Sequence, residues 1–411
     1  MRNNEVLGGK MRRWLSSPGT TGVLLVVSAA VSLLLANSPW GAGYQRIWSH
    51  PVGEHPLSHW IDDGLMALFF LLVGLELKSE LLYGTLKTPQ RALVPLLGAI
   101  GGMVVPVAIY LAFNVGESSV RGFGIPMATD IAFVLAVVGL LGRRVPPVLK
   151  VFLTTLAVVD DLGAVVVIAL FYTGRLHMVS LVLAMVLWGV MVLVGQTFYP
   201  RRQSDGVLFS IVMATGGVAL WLLVMKSGVH GTVSGLLLAM ALPTFDNHPS
   251  APAQRWLESL WGPVYGVVLP LFILSNTAIP LERFGTVGGA TSLVWGIGGG
   301  LLIGKPVGIL AGVWAALHFG GKAGWEELTK RHWIGAACLG GIGFTMALFV
   351  AALAFDEQAT LESAKAVIVV ASTVAALLGG VVLATARHQV NNNSKQYTFN
   401  KKSKEDEKVH L

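Results

Sequence analysis

The residues of this chain best placed to do chemistry are ionisable groups in apolar surroundings. Asp160 and Asp161 are adjacent, in the middle of an otherwise almost purely apolar segment from Val151 to Tyr172. As a helix that stretch is about 33 Å long, so the pair falls near the centre of a bilayer span. Each carboxylate there costs roughly 2.5 to 3.5 kcal/mol on insertion scales, which makes a pair without a use improbable. Asp130 follows Gly122, Gly124 and Pro126, residues that interrupt a helix just before the acid. Lys305, in the run Leu301 to Gly308, lies too deep to reach water along its own helix and should face the protein interior and a counter-charge. Three carboxylates and one ammonium suit the exchange of small cations. Hard cations prefer oxygen, which the carboxylates, the carbonyls freed at a helix break and Thr129 would supply. Neighbours on a helix point about 100° apart, so the adjacent aspartates must divide the labour. One can share a cation site with Asp130 while the other pairs with Lys305. A carboxylate balanced between burial, a like charge and a lysine can trade a proton for a metal ion in the physiological range.

The elements that hold these groups are membrane helices. Of the 411 residues 54% are hydrophobic and 12% charged, against about 25% charged in a soluble protein, which reads as an all-α polytopic membrane protein. Apolar runs separated by polar or Gly/Pro-rich turns give twelve spans, centred near residues 29, 70, 102, 132, 160, 188, 215, 236, 270, 303, 343 and 374. An even number puts both termini on one side. With that side cytoplasmic, the inner segments hold 22 of the 29 Lys and Arg residues, and the outer loops hold Arg46, Arg121, Arg175, Lys226 and Arg283. The net charge of +7 is thus explained by the positive-inside rule, and no nucleic-acid partner is expected. Lys10, Arg12 and Arg13 before the first apolar run fit an uncleaved first helix better than a signal peptide. Lys365, near the start of the last span, can snorkel to the interface. Residues 389–411 read as a disordered cytoplasmic tail, and 1–388 as one transmembrane transporter domain.

A second interrupted span carries Gly340, Gly341 and Gly343. The fourth and eleventh spans are the middle members of two three-span groups, about 92–173 and 290–386, that start on opposite sides of the membrane. This is the arithmetic of an inverted repeat with two discontinuous helices, and such pairs mark a transport site near the midplane. The single cysteine, Cys338, leaves no disulfide framework and no Cys-based metal site, and no cofactor is expected. Gly298 to Gly300 read as helix contacts rather than a phosphate cradle. The spacing of His50, His55 and His59 is weak support for a metal. An intramembrane aspartyl protease would need different flanking residues, so an enzyme is not expected. A sodium-coupled symporter of an organic solute is the closer alternative, although it would more naturally use Asn, Gln and Ser than three acids and a lysine. The lesser alternative for Asp130 is to satisfy broken-helix amides without touching an ion.

Several segments resemble the NhaA-type sodium/proton antiporter family: FFLLVGLELKSEL from Phe69, IPMATDIAF from Ile125, VPPVLKVFLTTLAVVDDLGA from Val145, KSGVHGTVSG from Lys226, LIGKPVGI from Leu302 and GGIGFTMALF from Gly340. Inverted repeats with broken helices are a known trait of that family, so repeat and resemblance are not independent. The resemblance implies twelve helices in a bacterial inner membrane, two of them broken and crossing. It implies electrogenic export of cytoplasmic Na+ or Li+ for external protons, serving pH and sodium homeostasis. It places Na+ at Asp160 and Asp161, with Asp161 the more direct ligand, Asp130 and Thr129 beside them, and Lys305 as charge compensation partnered by Asp160. It also implies a homodimer formed partly through residues 38–56, where Trp40, Tyr44 and Trp48 fit either a contact surface or an interfacial belt. The family's pH-response positions match Glu76, Glu80, Glu258 and His230. Ser79 stands where a basic residue is expected, and no histidine occurs between Pro249 and Leu317, so a different set-point or shallower response is expected.

Overall fold

Apolar runs of about twenty residues can satisfy their backbone in hydrocarbon only as helices, and helices dominate here. The computed structural model describes residues 18–174, 176–198, 206–244, 252–282, 291–321 and 324–386. The tail at 389–411, the basic residues Lys10, Arg12 and Arg13, and Arg175, Arg201, Arg202, Arg283 and Lys322 of the topology argument lie outside them.

The helices are α1 (Pro18–Ala36), α2 (57–82), α3 (Pro89–Asn114), α4 (Ser118–Leu141), α5 (Pro147–Phe171), α6 (Met178–Phe198), α7 (Gly206–Lys226), α8 (Val233–Ala241), α9 (Pro252–Asn276), α10 (Ser292–His318), α11 (Lys330–Ala354) and α12 (Gln358–Ala384). Eleven of the twelve expected centres fall inside a helix, and residue 343 falls on the break of α11. Among the described residues nine helices are long and apolar enough to cross a membrane. A tenth arises if α1 and the helix Gly41–Trp48, bent 119° from each other, are taken as one span. α2 carries Asp62, Asp63, Glu76, Lys78 and Glu80.

α8 departs from expectation, because only nine residues are helical. The chain from Ser227 to Thr232 approaches it as turns instead, with Gly228 at φ 85°, a conformation that favours glycine. Irregular backbone at membrane depth needs partners within the protein. Asp63 of α2 supplies one, accepting from the Gly231 amide at 3.2 Å. At the other end of α8, Lys78 donates to the carbonyls of Met240 at 2.9 Å and Leu242 at 2.5 Å. A cation there complements the negative end of the helix dipole.

α4, α5 and α11 are mostly buried, whereas few residues of α6 and α7 are buried. α3 packs along α10, and α11 along α12, with α4 and α5 against them. The α3–α10 contact is unusually close. A methyl built on Gly101 would lie 2.1 Å from the Gly308 carbonyl oxygen, one on Gly308 2.1 Å from that of Gly101, and one on Gly312 1.9 Å from that of Leu97. Small residues let the backbones touch, as in other membrane helix pairs. Among the described residues three helices contain π-helical turns, at Ile61–Leu65, Val264–Val268 and Trp295–Gly304. Such turns recur at functional sites. Here one holds Asp62 and Asp63, and another ends immediately before Lys305.

Candidate cation-binding site

α4 and α11 are each two half-helices. In α4 the tight turns of Ser118–Met127 stop at Ala128, the chain runs extended through Asp130, and an α-helix resumes over Ile131–Leu141. In α11, Lys330–Gly340 ends at a glycine-rich break and Phe344–Ala354 follows. The breaks meet: the Asp130 amide donates to the Ile342 carbonyl at 2.7 Å, and Thr129 Oγ1 lies 3.1 Å from the Gly340 carbonyl.

Each break leaves helix ends with unpaired backbone groups and partial charge, and the ionisable residues answer them. Asp130 caps two helix N-termini at once. Its Oδ1 accepts from the Phe133 amide at 3.1 Å, and its Oδ2 accepts from the Thr345 amide at 2.8 Å and from the Thr345 hydroxyl. The Phe344 amide beside it donates to Ser372 Oγ at 3.1 Å. At the opposite end, Lys305 Nζ donates to the Met127 carbonyl at 2.5 Å, where the first half of α4 terminates. A carboxylate thus sits at positive ends and an ammonium at a negative one.

Lys305 also stands 3.1 Å from Asp160 Oδ2, and the same oxygen accepts from Thr129 Oγ1 at 2.5 Å. Asp160 and Lys305 are both fully buried and Asp161 is 1% exposed. On Asp160 the second oxygen, Oδ1, has no hydrogen-bond partner, and neither has Oδ1 of Asp161. Buried polar groups are ordinarily paired, so two free carboxylate oxygens on successive residues form an electronegative position suited to a cation. Asp161 lies within electrostatic reach of Asp160, Asp130, Glu76 and Lys305.

The other sequence candidates are dispersed. Glu76 is half-buried at the far end of α2, within reach of Asp161. Glu80 accepts from the Thr85 amide at 2.9 Å, and the exposed Glu258 accepts from Gln254 at 2.9 Å. His230 Nδ1 lies 3.1 Å from Asp63 Oδ1, and its ring stands edge-on to Phe349 at 5.5 Å. Sequence reasoning missed Thr345, Asp62, Asp63 and Asn276. It also sent Lys365 to the interface, whereas its Nζ donates to Asn276 Oδ1 at 2.9 Å. The signal available was Asp62-Asp63 itself, a second acidic pair in an apolar run. Of the loop aromatics, Tyr44 donates to the Leu274 carbonyl at 2.7 Å and Trp40 is exposed.

The model of the family described as Na+/H+ antiporter 1 matches residues 12–383. This chain belongs to that family. Among the relatives is a protein named Na(+)/H(+) antiporter NhaA from Granulibacter bethesdensis, 46% identical over 371 residues, which cover 90% of this chain and 94% of the relative. Proteins of the same name from Cytophaga hutchinsonii and Vibrio cholerae are each 40% identical, over 90% of this chain and 93% and 96% of their own lengths. The family places the crossing of α4 and α11 in a transporter rather than an enzyme, in a multi-pass bacterial membrane protein.

Proposed function

We propose that this chain exchanges Na+ for protons across the bacterial inner membrane, exporting cytoplasmic Na+, and Li+ by the same chemistry, with net charge movement. One observation carries the site assignment: Asp160 and Asp161 each present an unpartnered oxygen in a buried position beside the crossed breaks. The family match and the relatives' printed names support Na+/H+ exchange over a symporter of an organic solute.

Asp161 is the exchanging ligand, because the direct bonds of Lys305 and Thr129 go to Asp160 instead. Asp160 contributes its free Oδ1 while Oδ2 remains with Lys305 and Thr129. Asp130 adds negative charge but has both oxygens engaged at the crossing, so it positions the half-helices more than it ligates. Cation and protons compete for one set of carboxylates. Alternation of the site between the two faces then makes competition into antiport. For pH response, Glu76 has the strongest case, since it reaches Asp161 electrostatically. The inverted relation of 92–173 and 290–386, a homodimer through residues 38–56 and cytoplasmic termini belong to the same reading. Among described residues the basic loop positions Lys87, Arg91, Arg144, Arg255, Lys330 and Arg331 share one side, which the positive-inside rule makes cytoplasmic.

The test is proton flux in everted membrane vesicles, comparing the parent with Asp161→Asn. Na+ or Li+ is expected to collapse a preformed pH gradient in the parent only. Equal responses in both would overturn the assignment.

A further inference from the structure

A second acid and base, half-buried and unused by the exchange chemistry, lie on the side assigned above as external. A cavity of about 780 Å³ opens there between α2, α9, α11 and α12, with His59, Asp62, Asn276, Asp356, Glu362 and Lys365 in its wall. Asn276, 2% exposed, joins three helices: its Nδ2 donates to Asp62 Oδ1 of α2 at 2.7 Å, while its Oδ1 accepts from Lys365 Nζ of α12 at 2.9 Å. A neutral amide thus bridges an acid on one helix and an ammonium on another, with both of its bonds charge-assisted.

Inward from this bridge α2, α9 and the adjacent α11 each carry a phenylalanine, whereas α12 carries none. Phe272 lies one turn before Asn276 on α9, Phe70 two turns beyond Asp62 on α2, and Phe349 one turn from Thr345, which bonds Asp130. These rings cluster on Phe349, with Phe70 at 5.6 Å and Phe272 at 6.3 Å, and none is more than 1% exposed. A buried aromatic layer therefore lies between the cavity and the crossed breaks, and apolar constrictions of this kind block ions by excluding water.

We propose that Asn276 is the positioning residue of an external latch, holding Asp62 and Lys365 together so that α12 stays locked against α2 and α9 while the aromatic layer is shut. α12 packs with α10 and α11, which carry Lys305 and one of the broken helices, whereas α2 and α9 lie outside the two three-span groups. Opening the cation site to the outside must separate these groups, and the two bonds of Asn276 break as they part. The latch rests on the antiport reading. Loosening it favours the outward-facing state without altering the ligands, so apparent affinity measured from outside tightens, and that from inside holds or weakens.

The experiment measures apparent Na+ affinity for Na+-driven proton flux at one pH in right-side-out and in everted vesicles. Asn276→Ala and the isosteric Asp62→Asn are compared with the parent and with Asp356→Asn, a cavity acid outside the bridge. Loss of a charge-assisted bond is expected to tighten external affinity about three- to tenfold in both latch variants, with cytoplasmic affinity unchanged or weaker. Asp356→Asn is expected to match the parent. External affinity that stays at the parent's value, or falls together with the cytoplasmic one in both variants, overturns the latch. A parent without Na+-driven flux overturns antiport instead.

Discussion

Asp160 is a residue with two employments. Its Oδ2 is shared by Lys305 and Thr129, and its Oδ1 is free to meet a cation. The lysine is held by the same logic: among the described residues its Nζ meets that carboxylate and the Met127 carbonyl. Breaking a buried pair by removing one member leaves an uncompensated charge and costs about 3 to 5 kcal/mol, more than removing both. Lys305→Met and Asp160→Asn are therefore each expected to destabilise the detergent-solubilised protein by about that amount. The double variant should fall well short of their sum, by at least about 1 kcal/mol in a double-mutant cycle. Additive losses would mean that the two side chains stand together without depending on each other.

At the scale of elements, what positions Lys305 is the contact between α3 and α10. Gly308 follows Lys305 by less than a turn and touches the Gly101 backbone, so a methyl at Gly308 forces the helices apart and carries the ammonium off Asp160. Gly308→Ala should cost about 1 to 3 kcal/mol in stability by overpacking and weaken cation affinity although it touches no ligand. Gly43→Ala, at a position with nothing within 4 Å, should be neutral or slightly stabilising. A thermal-melt and Na+-affinity comparison separates them, and equal behaviour would refute the close-contact account. Much of this level was legible in the sequence. Periodic apolar runs located the helices, and Gly and Pro marked the breaks, because both signals are local. The shortened α8 was not, since the polar stretch Lys226 to Thr232 marks a loop without showing how few helical residues follow it, and the acid that supports the turns lies on another helix.

For the whole molecule, the part beyond sequence reasoning is what long-range assembly decides. Asn276 is 214 residues from Asp62 and 89 from Lys365, and nothing in their local contexts links them. The deep acids and Lys305 were legible as a set because burying each alone is so costly, whereas the pairing of Asp130 with Thr345 required the crossing itself. The assembly gathers three carboxylates and one ammonium at the crossing, and the cation that balances them must also stabilise the fold. A ligand that binds only the folded state raises stability by about 2.7 kcal/mol at a hundredfold excess over its dissociation constant. Na+ and Li+ are accordingly expected to raise the melting temperature of the purified protein. Protons occupy the same oxygens, so the rise should be largest at alkaline pH and shrink as pH falls. Asp161→Asn should abolish it at every pH while leaving the ion-free melting temperature near or above the parent's, because the amide removes an unpaired buried charge. A Na+ effect that is independent of pH, or that survives in this variant, would place the stabilising cation somewhere other than the paired aspartates.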